Sequence, residues 1–349
     1  MKKTSTRLAD GRELLYYDSR DDTVRDAVDR RTLPPVDTGP RPEIRHDPLL
    51  GDAVAVAAHR QDRTYRPPAG ECPLCPSREG RLSEIPAADY DVVVFENRFP
   101  SLAGDSGRCE VVSFTSDHHA SFADLGEERA ALVLDAWTDR TAALAGLPQV
   151  EQVFCFENRG AEIGVTLGHP HGQIYAYPFV APRVELMLRT GAAHRERTGR
   201  NLFDDVVARE LAEGERIVLT TAHWVAFVPY AAHWPYEVHL HPRRRVPDLR
   251  ALDAAAREEF PGIYLELLRR FDRIFGADTP PTPYVSAWHQ APFRAAGRED
   301  FALHLELFTI RRTPGKLKFL AGSESGMSVF INDVPPEAAA ARLREAASE

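Results

Sequence analysis

The sequence has no apolar run approaching the roughly 18 residues that a membrane-spanning helix needs. Its N-terminus lacks an apolar signal core, since Lys2 and Lys3 are followed by Ser5, Arg7, Asp10 and Arg12. Neither a membrane span nor a secretory leader is expected, and the expected location is the cytoplasm. Positive charge is not in excess either. The formal net charge is −9, which argues against a broad nucleic-acid-binding surface but leaves room for a local basic cluster around an anionic small ligand. Cysteine is scarce, with only Cys72, Cys75, Cys109 and Cys155 in 349 residues. In a reducing compartment the close pair is not first read as a disulfide. What is present, 43% hydrophobic residues over this length, suffices for one large or two medium domains with a real core.

Along the chain, residues 18–46 are charged and Pro-rich and read as an irregular arm. Val54 to Ala58 reads as a short strand, and Pro67 to Pro76 as a loop. Strands are expected at Asp91–Asn97 and Cys109–Thr115, then a helix from about Leu125 to Leu144, then strands at Val153–Glu157 and His171–Tyr177. The second half repeats this order. Strands fall at His223–Pro229 and Tyr236–Leu240, and a helix carries Phe260, Ile263, Tyr264, Leu267, Leu268, Phe271, Ile274 and Phe275 on one face. Pro261 inside that pattern predicts a kink or a late start. Strands at Tyr284–Trp288 and Leu303–Thr309 close the unit. Two copies of strand–strand–helix–strand–strand predict an internal duplication and an α+β fold, with antiparallel sheets packed by helices. The expected division is 1–195 and 196–349. In the second copy His304-x-Glu306 is the counterpart of His169-x-His171-x-Gln173, and one catalytic histidine per chain is expected.

The segment His169-Pro170-His171-Gly172-Gln173 carries the chemistry. On a strand His171, Gln173 and Tyr175 share a face, and polar groups projecting together from an apolar strand cost free energy unless used. Imidazole is a competent phosphorus nucleophile, largely neutral near pH 7, provided its other ring nitrogen is held by an acceptor that fixes the tautomer. Gly172 lets the backbone approach a phosphate, and the Gln173 amide can donate to a non-bridging oxygen as charge develops there. Gln173 cannot act as a general acid. The pattern therefore suits a leaving group that needs no proton, such as a sugar phosphate with a second pKa of about 6. Cys72-x-x-Cys75, set among Pro and Gly, is a zinc-type knuckle lacking two further ligands.

Phe156-Glu157-Asn158-Arg159-Gly160 leading to Gly168-His169-Pro170-His171-Gly172-Gln173-Ile174 closely resembles the galactose-1-phosphate uridylyltransferase family of the histidine-triad superfamily. The superfamily's hydrolases carry His where Gln173 stands. The resemblance continues through Asp47-Pro48-Leu49, His59-Arg60, the Cys72/Cys75 pair, Ser116-Asp117-His118, His223-Trp224, Trp234-Pro235-Tyr236-Glu237, Trp288 to Phe293 and Lys318-Phe319, nearly the whole chain. It implies two tandem histidine-triad-like units and a ping-pong cycle: His171 takes uridylyl from UDP-glucose, or in reverse UDP-galactose, and passes it to a hexose 1-phosphate. It implies His118 and His169 as the remaining metal ligands, although His119 is a neighbouring rival. A zinc with four protein ligands has no open position and is structural. Some members hold a second iron or zinc between one Glu and three His. Here His289 and His304 match two of those positions, Glu306 stands at the third, and Met187 or Glu185 falls near the Glu, so no second metal is assigned.

The resemblance further implies Arg60 and Arg63 as a basic pair for the phosphates and Asn97 as a uridine contact. Asn158 and the loop Gly164-Val165-Thr166 would contact phosphate and ribose. Lys318, Phe319, Ser323 and Glu324 would form a sugar-binding segment that reaches a partner subunit, which implies a homodimer. Gly322 to Met327 departs from the commoner form, which has Tyr before the Glu, and Phe330 stands where Gln is frequent. Sugar selectivity is therefore not read from this segment. Two other readings of the residues stand beside this one. One is a related nucleotidyltransferase or phosphorylase acting on other nucleotide sugars or dinucleoside polyphosphates. The other is a zinc-stabilised binding module that needs neither His171 nor Gln173.

Overall fold

The computed structural model describes residues 1–34, 42–60, 67–276 and 278–347 and packs them as two compact units. The first comprises Met1–Cys155, Thr166–Leu186 and Pro292–Ala296, and the second Phe156–Val165, Met187–Ala291 and Gly297–Glu349. The units interleave along the chain, a division of the packing distinct from the cut at 195/196 read from the sequence. No helix of the described residues is long and apolar enough to cross a membrane.

The first unit contains β1 (Lys2–Arg7), β2 (Glu13–Asp18), β3 (Glu43–His46), β4 (Ala53–Val56), β5 (Val92–Glu96), β6 (Arg108–Ser113), α1 (Glu127–Ala145), the start of β7 (Gln152–Arg159), and β8 (His171–Tyr177). Its sheet runs β1-β2-β5-β6-β8-β7, while β3 and β4 form a separate hairpin. The hairpin of β1 and β2 is not foreseen in the sequence reading, and β3 falls inside the expected irregular arm. In β2 and β5 the runs Leu-Leu-Tyr-Tyr and Val-Val-Val-Phe are apolar throughout because both faces are covered. Leu14, Tyr16, Val93 and Phe95 pack with Cys72, Leu74, Ile85, Tyr90 and Val111, so the Cys72–Cys75 knuckle lies on that face. On the opposite face Tyr17 donates to Asp139 of α1 at 2.7 Å. Arg140 of α1 makes two bonds of 2.8 Å to buried Glu110 of β6.

The second unit contains the end of β7, then α2 (Pro182–Thr198) from Met187 onward, α3 (Leu202–Glu213), β9 (Ile217–Thr220), β10 (Trp224–Phe227), β11 (Tyr236–Pro242), α4 (Ala254–Arg273), β12 (Tyr284–His289), β13 (His304–Thr309), a short pair β14 (Arg311–Thr313) and β15 (Lys316–Leu317), and α5 (Pro336–Glu345). Its sheet runs β7-β12-β13-β11-β10-β9. The repeated strand order is the same in both units: β5-β6-β8-β7 in the first and β10-β11-β13-β12 in the second. The α+β architecture with antiparallel pairing is as the sequence predicts. The late start expected for α4 does not occur. Asp253 caps it, accepting from Ala256 N at 2.9 Å, and Pro261 sits inside the helix, where burial of Phe260, Ile263, Tyr264, Leu267, Leu268 and Phe271 outweighs one lost backbone bond.

Candidate active site and metal centre

Strand β8 begins at His171, and its alternation is regular: Gly172, Ile174 and Ala176 are buried, while His171, Gln173, Tyr175 and Tyr177 are half-buried on the other face. Cross-strand, Ser113 faces His171, Val111 faces Gln173 and Cys109 faces Tyr175. That is the face on which the knuckle packs. The His171 Nδ1 lies 2.8 Å from the backbone carbonyl of His169. A carbonyl can only accept, so Nδ1 carries the hydrogen and Nε2 keeps its lone pair in the neutral ring. This is the tautomer that a nucleophile needs.

The side chain of His169 turns the other way, into the knuckle. Its Nδ1 is 3.6 Å from the Cys75 Sγ, and His118 Nδ1 is 3.4 Å from the same sulfur. Among the described residues, Cys72, Cys75, His118 and His169 form a group whose ligand atoms all lie within 4.8 Å of one another, a set that could hold a metal ion. His118 belongs to this group and exposed His119 does not. The His169 Nε2 is 2.7 Å from the Thr115 carbonyl, to which it donates, and 2.9 Å from the Tyr90 hydroxyl. Tyr90 in turn donates to the Leu74 carbonyl at 2.8 Å. These contacts orient His169 with Nδ1 toward the sulfurs. Burial lowers the His169 imidazole to about 4 and raises the Cys72 thiol to about 11, so the histidine stays neutral, whereas the thiol needs a cation to ionise. No sequence motif marks Tyr90 or Thr115, since one contributes a hydroxyl from a core position and the other only a carbonyl.

Gln173 is joined by two residues that the motif does not include. The Tyr175 hydroxyl donates to the Gln173 Oε1 at 3.3 Å and lies 3.4 Å from the Ser101 Oγ. Arg60 donates to Ser101 Oγ and, at 3.2 Å, to the Phe99 carbonyl. Of the expected basic pair, Arg60 is thus tied to this face, while Arg63 lies outside the described residues. Asn97 is buried, and its Oδ1 accepts from Phe99 N at 2.9 Å.

Thr166 falls in the first unit, whereas Asn158, Gly164 and Val165 fall in the second. Asn158 pairs with Val285 on β12. Gly160, which opens the loop, has φ +108°, and a side chain there would meet Pro283 at 2.6 Å, so only glycine fits. Lys318 and Glu324 come together as a buried ion pair at 2.8 Å, Ser323 Oγ donates to the Val329 carbonyl at 2.8 Å, and Phe319 is exposed. Lys318 holds the Glu324 carboxyl down to about 2.

The second unit repeats the strand-start geometry. His304 is the first residue of β13, as His171 is of β8, and its Nδ1 is also 2.8 Å from the carbonyl two residues earlier, that of Ala302. Glu306 thus occupies the place of Gln173. The imidazole is present in the counterpart strand, but it is buried between the His241 and His289 rings, at 4.8 Å from each and within about 10° of parallel. His239 Nε2 is 2.9 Å from Glu237, and His289 Nε2 is 2.8 Å from Glu306.

Comparison with known proteins shows which family the chain resembles. Residues 103–181 match the model of the galactose-1-phosphate uridyl transferase N-terminal domain, and residues 188–349 match that of the C-terminal domain. A galactose-1-phosphate uridylyltransferase of Streptomyces lividans is 66% identical, covering 99% of this chain and 98% of that protein. One from Thermotoga maritima is 37% identical over 87% of this chain and 98% of its own. A solved uridylyltransferase structure superposes with TM-score 0.76 at 31% identity, covering 87% of this chain and 97% of the other. An Arabidopsis thaliana ADP-glucose phosphorylase, 23% identical with TM-score 0.68 over 88% of this chain and 99% of its own, shares the fold. The chain is a nucleotidyl-transferring enzyme and belongs to the galactose-1-phosphate uridylyltransferase family.

Proposed function

We propose that this enzyme exchanges uridylyl between UDP-glucose and galactose 1-phosphate through a covalent uridylyl-His171. The observation that carries the reading is the 2.8 Å contact from His171 Nδ1 to the His169 carbonyl, which makes Nε2 the ring nitrogen that carries the lone pair, on the strand face shared with Gln173. In the first half-reaction Nε2 bonds to the α-phosphorus, and the P–O bond to glucose 1-phosphate breaks with its electron pair on the departing phosphate. In the second, a phosphate oxygen of galactose 1-phosphate attacks and the P–N bond breaks, forming UDP-galactose and restoring neutral His171. No general acid is required, because the leaving phosphate has a second pKa of about 6. Gln173 donates its amide to a non-bridging oxygen, a contribution typically worth about 10²–10³ in rate for such donors. Incubation with UDP-glucose labelled in the uridylyl group is expected to give base-stable, acid-labile label on the protein. Undiminished label on His171→Asn, or equal labelling by ADP-glucose, sinks the assignment.

The Cys72, Cys75, His118, His169 group is read as a structural zinc site. A tetrahedral zinc with bonds of roughly 2.3 Å to sulfur and 2.0–2.1 Å to nitrogen sets an S···N edge of about 3.6 Å. The two Cys75 contacts, 3.4 and 3.6 Å, have that length. Four protein ligands would leave no position for substrate, so a bound ion would serve to fix the chain. His169 lends its side chain to that site and its carbonyl to His171, which puts the nucleophile two residues from an anchored point. Asn97, Asn158, Gly164, Val165, Thr166, Arg60 and Arg63 keep the nucleotide-binding roles that the family resemblance gives them, and Lys318, Phe319, Ser323 and Glu324 keep the sugar-binding role. A cytoplasmic homodimer completes the reading. Supporting it, Phe319, Leu320, Met327, Val329 and Ile331 are all exposed on the C-terminal segment, more apolar surface than a solvated loop ordinarily shows. Light scattering that gives a monomer mass at micromolar concentration would remove the dimer from the proposal.

A further inference from the structure

We infer that Tyr175 is a positioning residue: its hydroxyl holds the Gln173 amide with the oxygen turned back and the N–H₂ end presented to the transferring phosphoryl group. The inference rests on the roles proposed for His171 and Gln173. A primary amide has two ends of nearly equal shape and opposite polarity. Only the nitrogen end stabilises an anionic oxygen, and the carbonyl end repels it. Something must therefore decide which end faces the substrate, and His171-Gly172-Gln173 itself does not.

The hydrogen-bond chain behind Gln173 makes that decision. Arg60 has no acceptor, so the bond between it and Ser101 Oγ has one direction: Arg60 donates. The Ser101 hydroxyl is 3.4 Å from Tyr175 Oη, and Tyr175 Oη is 3.3 Å from Gln173 Oε1. A phenol has one hydrogen. With that hydrogen on the amide oxygen, Tyr175 accepts from Ser101, and every link points the same way. The buried Cys109 thiol, paired across the strand with Tyr175, also touches the phenol. Burial pushes that thiol up to about 11, so it stays protonated and is a weak acceptor beside an amide oxygen. The chain thus ends on Oε1 and leaves the Gln173 nitrogen for the ligand. Tyr175 is placed to do this because it lies two residues beyond Gln173 on one strand face.

The test is a double-mutant cycle on the full-length enzyme, with Tyr175→Phe, Gln173→Ala and the pair, read as the single-turnover rate of protein labelling by UDP-glucose. Tyr175→Phe alone is expected to slow labelling about two- to tenfold, the range for one neutral hydrogen bond, with KM for UDP-glucose unmoved. In the Gln173→Ala background the same substitution is expected to do nothing further. A loss that persists without Gln173, or no loss in Tyr175→Phe alone, overturns the positioning role and leaves the nucleophile assignment standing. Full rate in Gln173→Ala alone overturns the role of Gln173 and the positioning role with it. Should circular dichroism show Tyr175→Phe misfolded, Ser101→Ala replaces it in the cycle, with the same direction of loss expected and the same dependence on Gln173.

Discussion

The stacked histidines of the second unit predict a specific acid sensitivity, and His241 isolates it. Its ring is buried, lies against Phe227 at 5.3 Å and 11°, and stacks on His304 at 4.8 Å. Burial first, then neighbouring His239 and His289, lower its pKa from 6.5 to about 3. An unfolded chain takes up a proton at this residue as pH falls through 6.5, and the native chain does not until about 3. The unfolded state therefore binds more protons across that window, and stability is lost as pH drops. Each pH unit below the unfolded value costs about 1.4 kcal/mol per such group, so at pH 5 His241 alone accounts for about 2 kcal/mol. His241→Phe removes the proton site and keeps a flat ring against Phe227. Both proteins retain His239, His289, His304, Glu237 and Glu306, so the difference between them reports His241. Urea unfolding followed by tryptophan fluorescence is expected to place the variant within about 1.5 kcal/mol of the parent at pH 7.5. The difference is then expected to move in the variant's favour by about 2 kcal/mol at pH 5. An equal difference at the two pH values refutes the reasoning.

Tyr90→Phe removes the hydroxyl 2.9 Å from His169 Nε2 and is expected to weaken zinc binding about 10- to 100-fold; competition with a chromogenic chelator measures this, and an unchanged affinity counts against the site as described. Arg140→Leu strands the buried Glu110 carboxylate, which keeps Arg108 Nε at 2.8 Å. That remaining partner sets the loss at about 3 kcal/mol, the lower end for a broken buried pair. Adding Glu110→Leu is expected to recover much of it in thermal unfolding, and a double variant no more stable than the single one argues against a stranded charge.

How far the sequence could be read depended on whether local pattern or tertiary cover decided each element. The strand His171–Tyr177 was legible to its boundaries because polar groups alternate with Gly172, Ile174 and Ala176, a period that nothing in the surroundings contradicts. The late start that Pro261 suggested does not occur because proline's cost is local, while the face that buries Phe260, Tyr264 and Phe271 is set by packing over the whole helix. The hairpin of β1 and β2 escaped notice because Lys-Lys-Thr-Ser-Thr-Arg carries no apolar member, and its strand character comes from pairing with Leu14 to Tyr17. At the site, the residue types Cys, His and Gln announce their chemistry. Tyr90, Ser101 and the Thr115 carbonyl do not, since their role exists only once the chain has brought them to His169 and Gln173.

Among the described residues, the hydrogen bond from a strand-opening histidine to the carbonyl two residues before it occurs at His171 and again at His304. On the proposed reading, reactivity is set by what surrounds the ring rather than by the ring itself. At His171 the contact fixes the tautomer of a half-buried ring on the strand face shared with Gln173. A second, primed in the same way, has other imidazoles pressed against both of its faces and serves as a building block. With His171 as the proposed nucleophile, such an arrangement would let one half of a duplicated chain fall silent without losing the histidine, by changes confined to its neighbours. By the same token, opening the stack around His304 would be a shorter path to a second reactive centre than installing a new nucleophile.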